Sequence, residues 1–251
     1  MADLRGHLAL VTGASSGLGH RFVQVLAAHG AKVAVAARRA DRLSALVEAV
    51  EAKNGVARAF AFDARDGAAP DALMEEVAEA MGVPTLLINN AGIHRPGKAH
   101  RNTAEDFDDT MAVNLRTPWR LSQLCAERWI AAGTQGAIVN VASMLAFRVG
   151  AGVSTYATSK AALQHMTASH ALEWARHGVR VNALCPGYIR TEINEAFWET
   201  EQGQAELKRL PRRRVGDPEA LDTALLFLTD PRSHFVNGAS IVVDDAQSWA
   251  I

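Results

Sequence analysis

Short apolar runs recur along the chain and alternate with longer stretches whose apolar residues fall at helical spacing. Residues 7–11, 32–37, 56–62, 85–88, 137–141, 179–184 and 240–243 read as strands, rich in β-branched and small apolar residues and bounded by turn formers. Between them the spacing predicts helices over 22–28, 41–52, 70–81, 103–132, 154 to about 177, and 218–229. Strands that alternate with helices pair in parallel through helical crossovers, and near-continuous apolar strands belong to a sheet covered on both faces. The expectation is an α/β fold, a doubly wound parallel β-sheet of about seven strands. Right-handed crossovers put its ligand site at the carboxyl ends of the strands. No linker, repeat or low-complexity tract interrupts the alternation, so a single domain over 1–251 is expected.

Composition narrows the classes without choosing among them. The 251 residues are 49% apolar and 21% charged, an ordinary globular balance. Lys plus Arg number 26 against 27 for Asp plus Glu, so no overall field favours nucleic acid or an anionic membrane. Cys125 and Cys185 lie in apolar contexts without the Cys/His company of a zinc site, which points to a reducing compartment and no metal. The N-terminal residues lack a signal-peptide hydrophobic region, and no apolar run reaches membrane-spanning length. A cytoplasmic location is expected.

Candidate chemistry begins after the first strand, at Thr12-Gly13-Ala14-Ser15-Ser16-Gly17-Leu18-Gly19. Glycines between a strand and a helix allow a tight turn and a close approach of backbone to phosphate. The helix N-terminus then offers free N–H groups and partial positive charge. In the first β-α-β unit this reads as a Rossmann-type dinucleotide site. A carboxylate after the second strand would favour NAD, but Ala37 is followed by Arg38 and Arg39, which suit a 2′-phosphate. NADP(H) is the expected cofactor, with NAD(H) possible.

Ser154-Thr155-Tyr156-Ala157-Thr158-Ser159-Lys160 opens a long run of helix formers, with Ser154 or Thr155 available as a cap. Residues four apart share a helix face, so Tyr156 and Lys160 present a phenol beside an ammonium. Bringing a tyrosine from about 10 to about 7 takes roughly 4 kcal/mol, which a cation at ~4 Å in an effective dielectric of ~20 supplies. Upstream, Pro118 lies four residues after Asn114 and cannot bond its carbonyl. It is expected to bend the 103–132 helix there and free an acceptor for water.

Together, Thr12-Gly13-x-x-x-Gly17-x-Gly19, Asn89-Asn90-Ala91-Gly92, Asn114, Ser143, Tyr156-x-x-x-Lys160 and Pro186-Gly187 resemble the short-chain dehydrogenase/reductase family over essentially the whole chain. The resemblance implies reversible NAD(P)(H)-dependent reduction of a carbonyl to a secondary alcohol. Tyr156 would be the acid/base, and Lys160 would lower its pKa and hold the nicotinamide ribose. Ser143 would bond the reacting oxygen, and Asn114 would position a water. It further implies Gly13, Ser15, Ser16, Gly17, Leu18 and Gly19 at the phosphates, and Asp63 and Ala64 beside the adenine. Asn90, Ala91 and Gly92 would line the channel, Pro186 and Gly187 would also meet the cofactor, and Ile189 and Thr191 would hold the carboxamide. Ser16 stands where many NADP-preferring members carry a basic residue, leaving Arg38 as the main determinant.

Substrate selection is expected from loops at the strand ends: His94, Met144, Leu145, Val153 and Tyr188, with Phe197 and Trp198 in a lid at about 188–214. Arg209, Arg212, Arg213 and Arg214 read either as an attractor for an acidic or phosphopantetheine-bearing substrate or as a solvated patch. Trp119, Trp129 and Trp174 read as core or interface. Small and apolar residues around most of the Tyr156 helix predict a homo-oligomer, dimer or tetramer. The rival activity is a 3-oxoacyl-thioester reductase. From another class comes a non-enzymatic dinucleotide sensor, which would need none of Ser143, Tyr156 and Lys160.

Overall fold

The computed structural model describes residues 2–192 and 194–250. Seven parallel strands stand in the order β3-β2-β1-β4-β5-β6-β7. They are β1 (Leu8–Thr12), β2 (Lys32–Ala37), β3 (Val56–Ala61), β4 (Leu86–Asn89), β5 (Gly136–Val141), β6 (Val179–Pro186) and β7 (Ser240–Val243). The order reverses direction between β1 and β4, which opens a crevice at their carboxyl ends. The doubly wound, Rossmann-type sheet expected from the alternation is the observed one.

Side-chain alternation along each strand divides the core in two. Val11, Val33, Val35 and Ile88 face Phe22 and Leu26 of α1 (Gly17–Ala28) and Leu225 and Leu228 of α9 (Asp222–Thr229). α2 (Ala40–Glu51) adds Leu43 and Leu46 to that side. Leu10, Ala34, Leu87 and Ile138 face Leu73 and Met74 of α3 (Ala69–Met81) and Leu121 and Trp129 of α5 (Thr117–Ala132). α6 (Ser154–Trp174) closes the same side through Ala171.

The long 103–132 helix is not continuous. Thr103 starts α4 (Ala104–Met111) with a capping box to Asp106, and a π-helical turn over Ala112–Arg116 then separates α4 from α5. Thr117 donates its N–H to the Ala112 carbonyl, five residues back, and Pro118, having no N–H, sits in the first turn of α5. The bend expected from Pro118 is realised as an extra residue in the helix, with Asn114 at its centre. The segment after β6 is also more ordered than its polar sequence suggests: α7 (Glu195–Trp198) and α8 (Glu201–Arg209) fold around Trp198, Leu210 and Val215.

Candidate active site

The β1–α1 loop is built for close approach. Gly13 has φ +66°, and a Cβ there would lie 2.8 Å from the Ala91 Cα. A Cβ on Gly19 would overlap the Gly13 carbonyl oxygen and the Asn90 side chain. The loop is stitched to the end of β4: Thr12 Oγ1 accepts from Asn90 N and Ala91 N at 3.1 Å each, and Asn90 Nδ2 donates to Thr12 O at 2.9 Å. No side chain caps α1, and its first turn carries no acid, so its leading N–H groups are left for an anion. The half-buried Leu18 side chain packs against the core.

Arg39, not Arg38, reaches this loop. Its Nη2 donates to Ser15 Oγ at 2.9 Å and to Ser16 Oγ at 2.7 Å. Arg38 instead stands in the electrostatic neighbourhood of Asp63, whose carboxyl is held low chiefly by its bond to Arg65. Beside the Ser16 hydroxyl, where a basic side chain is absent, stands the Arg39 guanidinium, folded back from the start of α2. Next to Asp63, Ala64 is buried and its carbonyl accepts from Thr117 Oγ1 at 2.7 Å. Across the crevice, Gly187 N donates to Val243 O at 3.0 Å just after Pro186 ends β6. Ile189 bridges to Gly216, and the Thr191 side chain lies where a Gly17 Cβ would meet it at 3.3 Å.

Tyr156 and Lys160 lie one turn apart on α6, with the Lys160 Nζ 5.6 Å from the Tyr156 ring centroid. Lys160 is buried, its Nζ donates to Val141 O at 2.8 Å, and burial pushes the ammonium down to about 8. Burial pushes the Tyr156 phenol up from its ordinary value, and a hydrogen bond with Ser143 acts the other way. The expected lowering of the phenol by Lys160 is therefore not the dominant effect in this arrangement. Desolvation dominates, and the Lys160 ammonium spends a hydrogen bond on the Val141 carbonyl. Ser154 and Thr155 do not cap α6; Val153 holds that position, and Thr155 Oγ1 accepts from Asn102 Nδ2 at 2.9 Å.

Ser143 follows β5 and accepts from Leu145 N at 3.1 Å, which starts a short 3-10 turn over Met144–Ala146. Asn114 is fully buried. Its Oδ1 accepts from Ile93 N at 2.8 Å, and its Nδ2 donates to Ile93 O at 2.9 Å and Ser159 Oγ at 3.0 Å. Ser159 in turn donates to the Tyr156 carbonyl at 2.7 Å. A Cβ on Gly92 would lie 3.5 Å from Lys160 Nζ and 3.6 Å from Asn114 Oδ1, so the missing side chain lets amide and ammonium share one space. Sequence reasoning assigned no role to Ser159 or Asn102: Ser159 adjoins Lys160, whereas Asn102 lies ten residues past the Asn89–Gly92 motif with no pattern to mark it.

Of the substrate candidates, His94 places its exposed ring 5.2 Å from that of Tyr156. Met144 is buried, and Leu145 and Val153 are half-buried on the loop between Ser143 and α6. Tyr188 meets Trp198 edge-on at 5.4 Å. Trp198 is only 2% exposed and forms the centre of the α7–α8 cluster, so its expected contact with substrate is corrected to packing; Phe197 remains 38% exposed. Arg209 pairs with Glu206, and Arg212 and Arg214 pair with Asp245, so these arginines are not a free basic patch. Trp129 is core, donating to Pro84 O at 2.7 Å, while Trp119 is 45% exposed. Among the described residues no cluster of three His, Cys, Asp or Glu could hold a metal. None of their helices is long and apolar enough to cross a membrane.

The short chain dehydrogenase family model matches residues 7–202. The chain belongs to that family. This short-chain dehydrogenase is 37% identical over 246 residues to gluconate 5-dehydrogenase of Gluconobacter oxydans (strain 621H), covering 96% of this chain and 94% of the relative. It is 34% identical over 242 residues to a 3-oxoacyl (acyl-carrier-protein) reductase of Vibrio cholerae, covering 96% and 97%. A gluconate 5-dehydrogenase from Burkholderia cenocepacia J2315, solved in complex with NADP and tartrate, superposes with a TM-score of 0.93 at 31% identity, covering 99% and 98% of the two chains.

Proposed function

We propose that the protein is an NADP(H)-dependent oxidoreductase that interconverts a ketone and a secondary alcohol on a small polyhydroxylated substrate. The observation that carries this reading is the joining of Ser143, Tyr156, Lys160 and Asn114 beside the glycine loop, at the carboxyl ends of the strands. A dinucleotide sensor would not need that group.

The loop fits a dinucleotide. Gly13 and Gly17 take positive φ, Gly19 has no room for a Cβ, and the uncapped start of α1 with Arg39 above it offers N–H groups and a guanidinium to phosphates. The Gly13–Gly19 loop and Arg39 would hold the phosphates, Asp63 and Ala64 the adenine side, Asn90 to Gly92 the channel, and Ile189 and Thr191 the carboxamide. When bound, the cofactor exchanges hydride with the substrate carbon. Tyr156 delivers a proton to the carbonyl oxygen in reduction and takes it back in oxidation. Burial that opposes ionisation of the phenol suits an acid that must stay protonated at neutral pH. Ser143 hydrogen-bonds the reacting oxygen, Lys160 orients the ribose hydroxyls, and Asn114 with Ser159 fixes Lys160 and Tyr156 relative to the bend in the α4–α5 helix.

A polyol or sugar-acid substrate is supported by the gluconate activity of the relatives and by the polar ring of His94 beside Tyr156. A 3-oxoacyl thioester is less well served, because Arg212 and Arg214 are already paired with Asp245. NADPH oxidation with keto-aldonates, ketoses and 3-oxoacyl thioesters tests this, together with the reverse reaction on aldonates and polyols. Turnover of thioesters alone would overturn the substrate class.

The assembly is read as a homo-oligomer that buries the groove of about 320 Å³ between α5 and α6, lined by Trp119, Ile130, His170 and Trp174. Light scattering that gives a monomer at micromolar concentration would refute it. The two buried cysteines, both unpaired, support a cytoplasmic site of action. The whole chain is read as one domain whose 188–214 segment forms the lid.

A further inference from the structure

Backbone strain in this chain is concentrated at one junction. Four non-glycine residues among those described have positive φ: Asn54, Arg213, Asp245 and Ala246. Asn54 and Asp245 belong to residue types that tolerate this region; arginine and alanine do not, so the strain lies at Arg213 and Ala246 on either side of the Asp245 pairing. Arg213, Asp245 and Ala246 meet where the end of the 188–214 segment touches the turn after β7. There the Asp245 carboxylate takes Arg212 at 3.1 Å and Arg214 at 2.9 Å. Gln247, buried behind it, accepts from Tyr188 N at 2.7 Å and donates to Arg214 O at 3.4 Å. One turn further on, Ser248 O accepts from Arg148 Nε at 2.6 Å, and the Arg148 guanidinium lies 4.5 Å from the Trp249 ring centroid.

The turn therefore holds both walls of the crevice: the loop after Ser143 through Arg148, and the 188–214 segment through Tyr188, Arg212 and Arg214. A strained backbone persists only where surrounding contacts over-determine it, and strain of this kind collects at clamps and switches. We propose that Asp245 is a latch: its paired contacts with Arg212 and Arg214 hold the 188–214 segment closed over the substrate side of the crevice, with Gln247 as the fixed post behind it. Asp245 touches no reacting group and acts only by positioning the segment that carries Tyr188 and Phe197. The ion pairs are largely exposed, at 63% and 59% for the two arginines, so the latch is weak enough to open on each turnover and is loosened by salt.

Limited trypsinolysis of the full chain reads the latch directly, because Lys208, Arg209, Arg212, Arg213 and Arg214 are all cleavage sites inside the segment it holds. Asp245→Asn keeps a residue that accepts positive φ and removes the charge. It is expected to speed nicking within 208–214 by about three- to thirtyfold, the open population gained when two exposed ion pairs are lost. The same variant raises the substrate KM while kcat with saturating substrate is kept or increased, and added salt brings wild type toward it. Ala246→Gly relieves strain without touching the carboxylate, so it raises thermal stability and leaves nicking unchanged. The KM arm rests on the proposed catalytic reading; the nicking arm does not, so a failure of one is separable from a failure of the other. Unchanged nicking in Asp245→Asn at low salt would overturn the latch.

Discussion

Replacing Arg39 with alanine tests whether this fold tells NADPH from NADH through that guanidinium. The Arg39 guanidinium reaches Ser15 through Nε and Nη2, at 3.2 and 2.9 Å, and Ser16 through Nη2 at 2.7 Å, above the uncapped start of α1. A 2′-phosphate arriving there exchanges those hydroxyl contacts for charge-assisted bonds from the same planar fork. A hydrogen bond to a charged group contributes about 1.5–3 kcal/mol. Exposure of Arg39 keeps the total for two such bonds near the lower end, about 2–3 kcal/mol, or roughly 30–150-fold in kcat/KM. The assay is initial-rate kinetics with each cofactor at fixed carbonyl substrate and low ionic strength. NADPH efficiency is expected to fall by that factor while NADH efficiency changes less than about threefold. The NADPH preference proposed for wild type should shrink as salt rises. Equal losses with both cofactors would refute the reasoning, since they would mean that Arg39 supports the loop and not the phosphate. A loss in Arg38→Ala without one in Arg39→Ala would refute the assignment between the two.

Lys160→Met removes a buried ammonium. Because folded Lys160 releases its proton near pH 8 and an unfolded lysine near 10.5, the unfolded chain binds more protons between those values and wild-type stability rises with pH there. Relative to the methionine variant, wild type should gain about 3 kcal/mol on going from pH 7 to above pH 10 in urea unfolding, and a flat difference would refute the burial cost. Asn114→Ala leaves the Ile93 N–H and carbonyl without partners, which costs about 2–4 kcal/mol and lowers Tm by roughly 5–15 °C in calorimetry. An unchanged Tm would mean that the π-helical turn does not depend on that pair.

Much of this was legible in the residues, and the misses have identifiable causes. β2 and β7 follow the apolar pattern at both ends, because turn residues bound them sharply. The α4–α5 break was signalled by Pro118, but an inserted residue and a simple bend remove the same hydrogen bond, and spacing cannot distinguish them. α7 escaped because a four-residue helix has no period to detect, and α8 because its nine residues are almost all polar; Trp198 was assigned to substrate when it is the core those helices need. Adjacent Arg38 and Arg39 are equivalent as sequence; the backbone of the β2–α2 corner decides which one turns back onto the loop. Tyr156 and Lys160 were placed correctly on one face. The balance of their environment depends on burial and on the Val141 carbonyl, neither of which spacing encodes.

The central claim is that Tyr156 moves the proton, and Tyr156→Phe measures it. The substitution removes one hydroxyl from a side chain packed on α6 and leaves the glycine loop and Arg39 untouched. On an accepted ketone, kcat is expected to fall by about 10²–10⁴, with NADPH binding by fluorescence titration within about twofold of wild type. Wild-type turnover in that variant, with NADPH bound normally, would contradict the account.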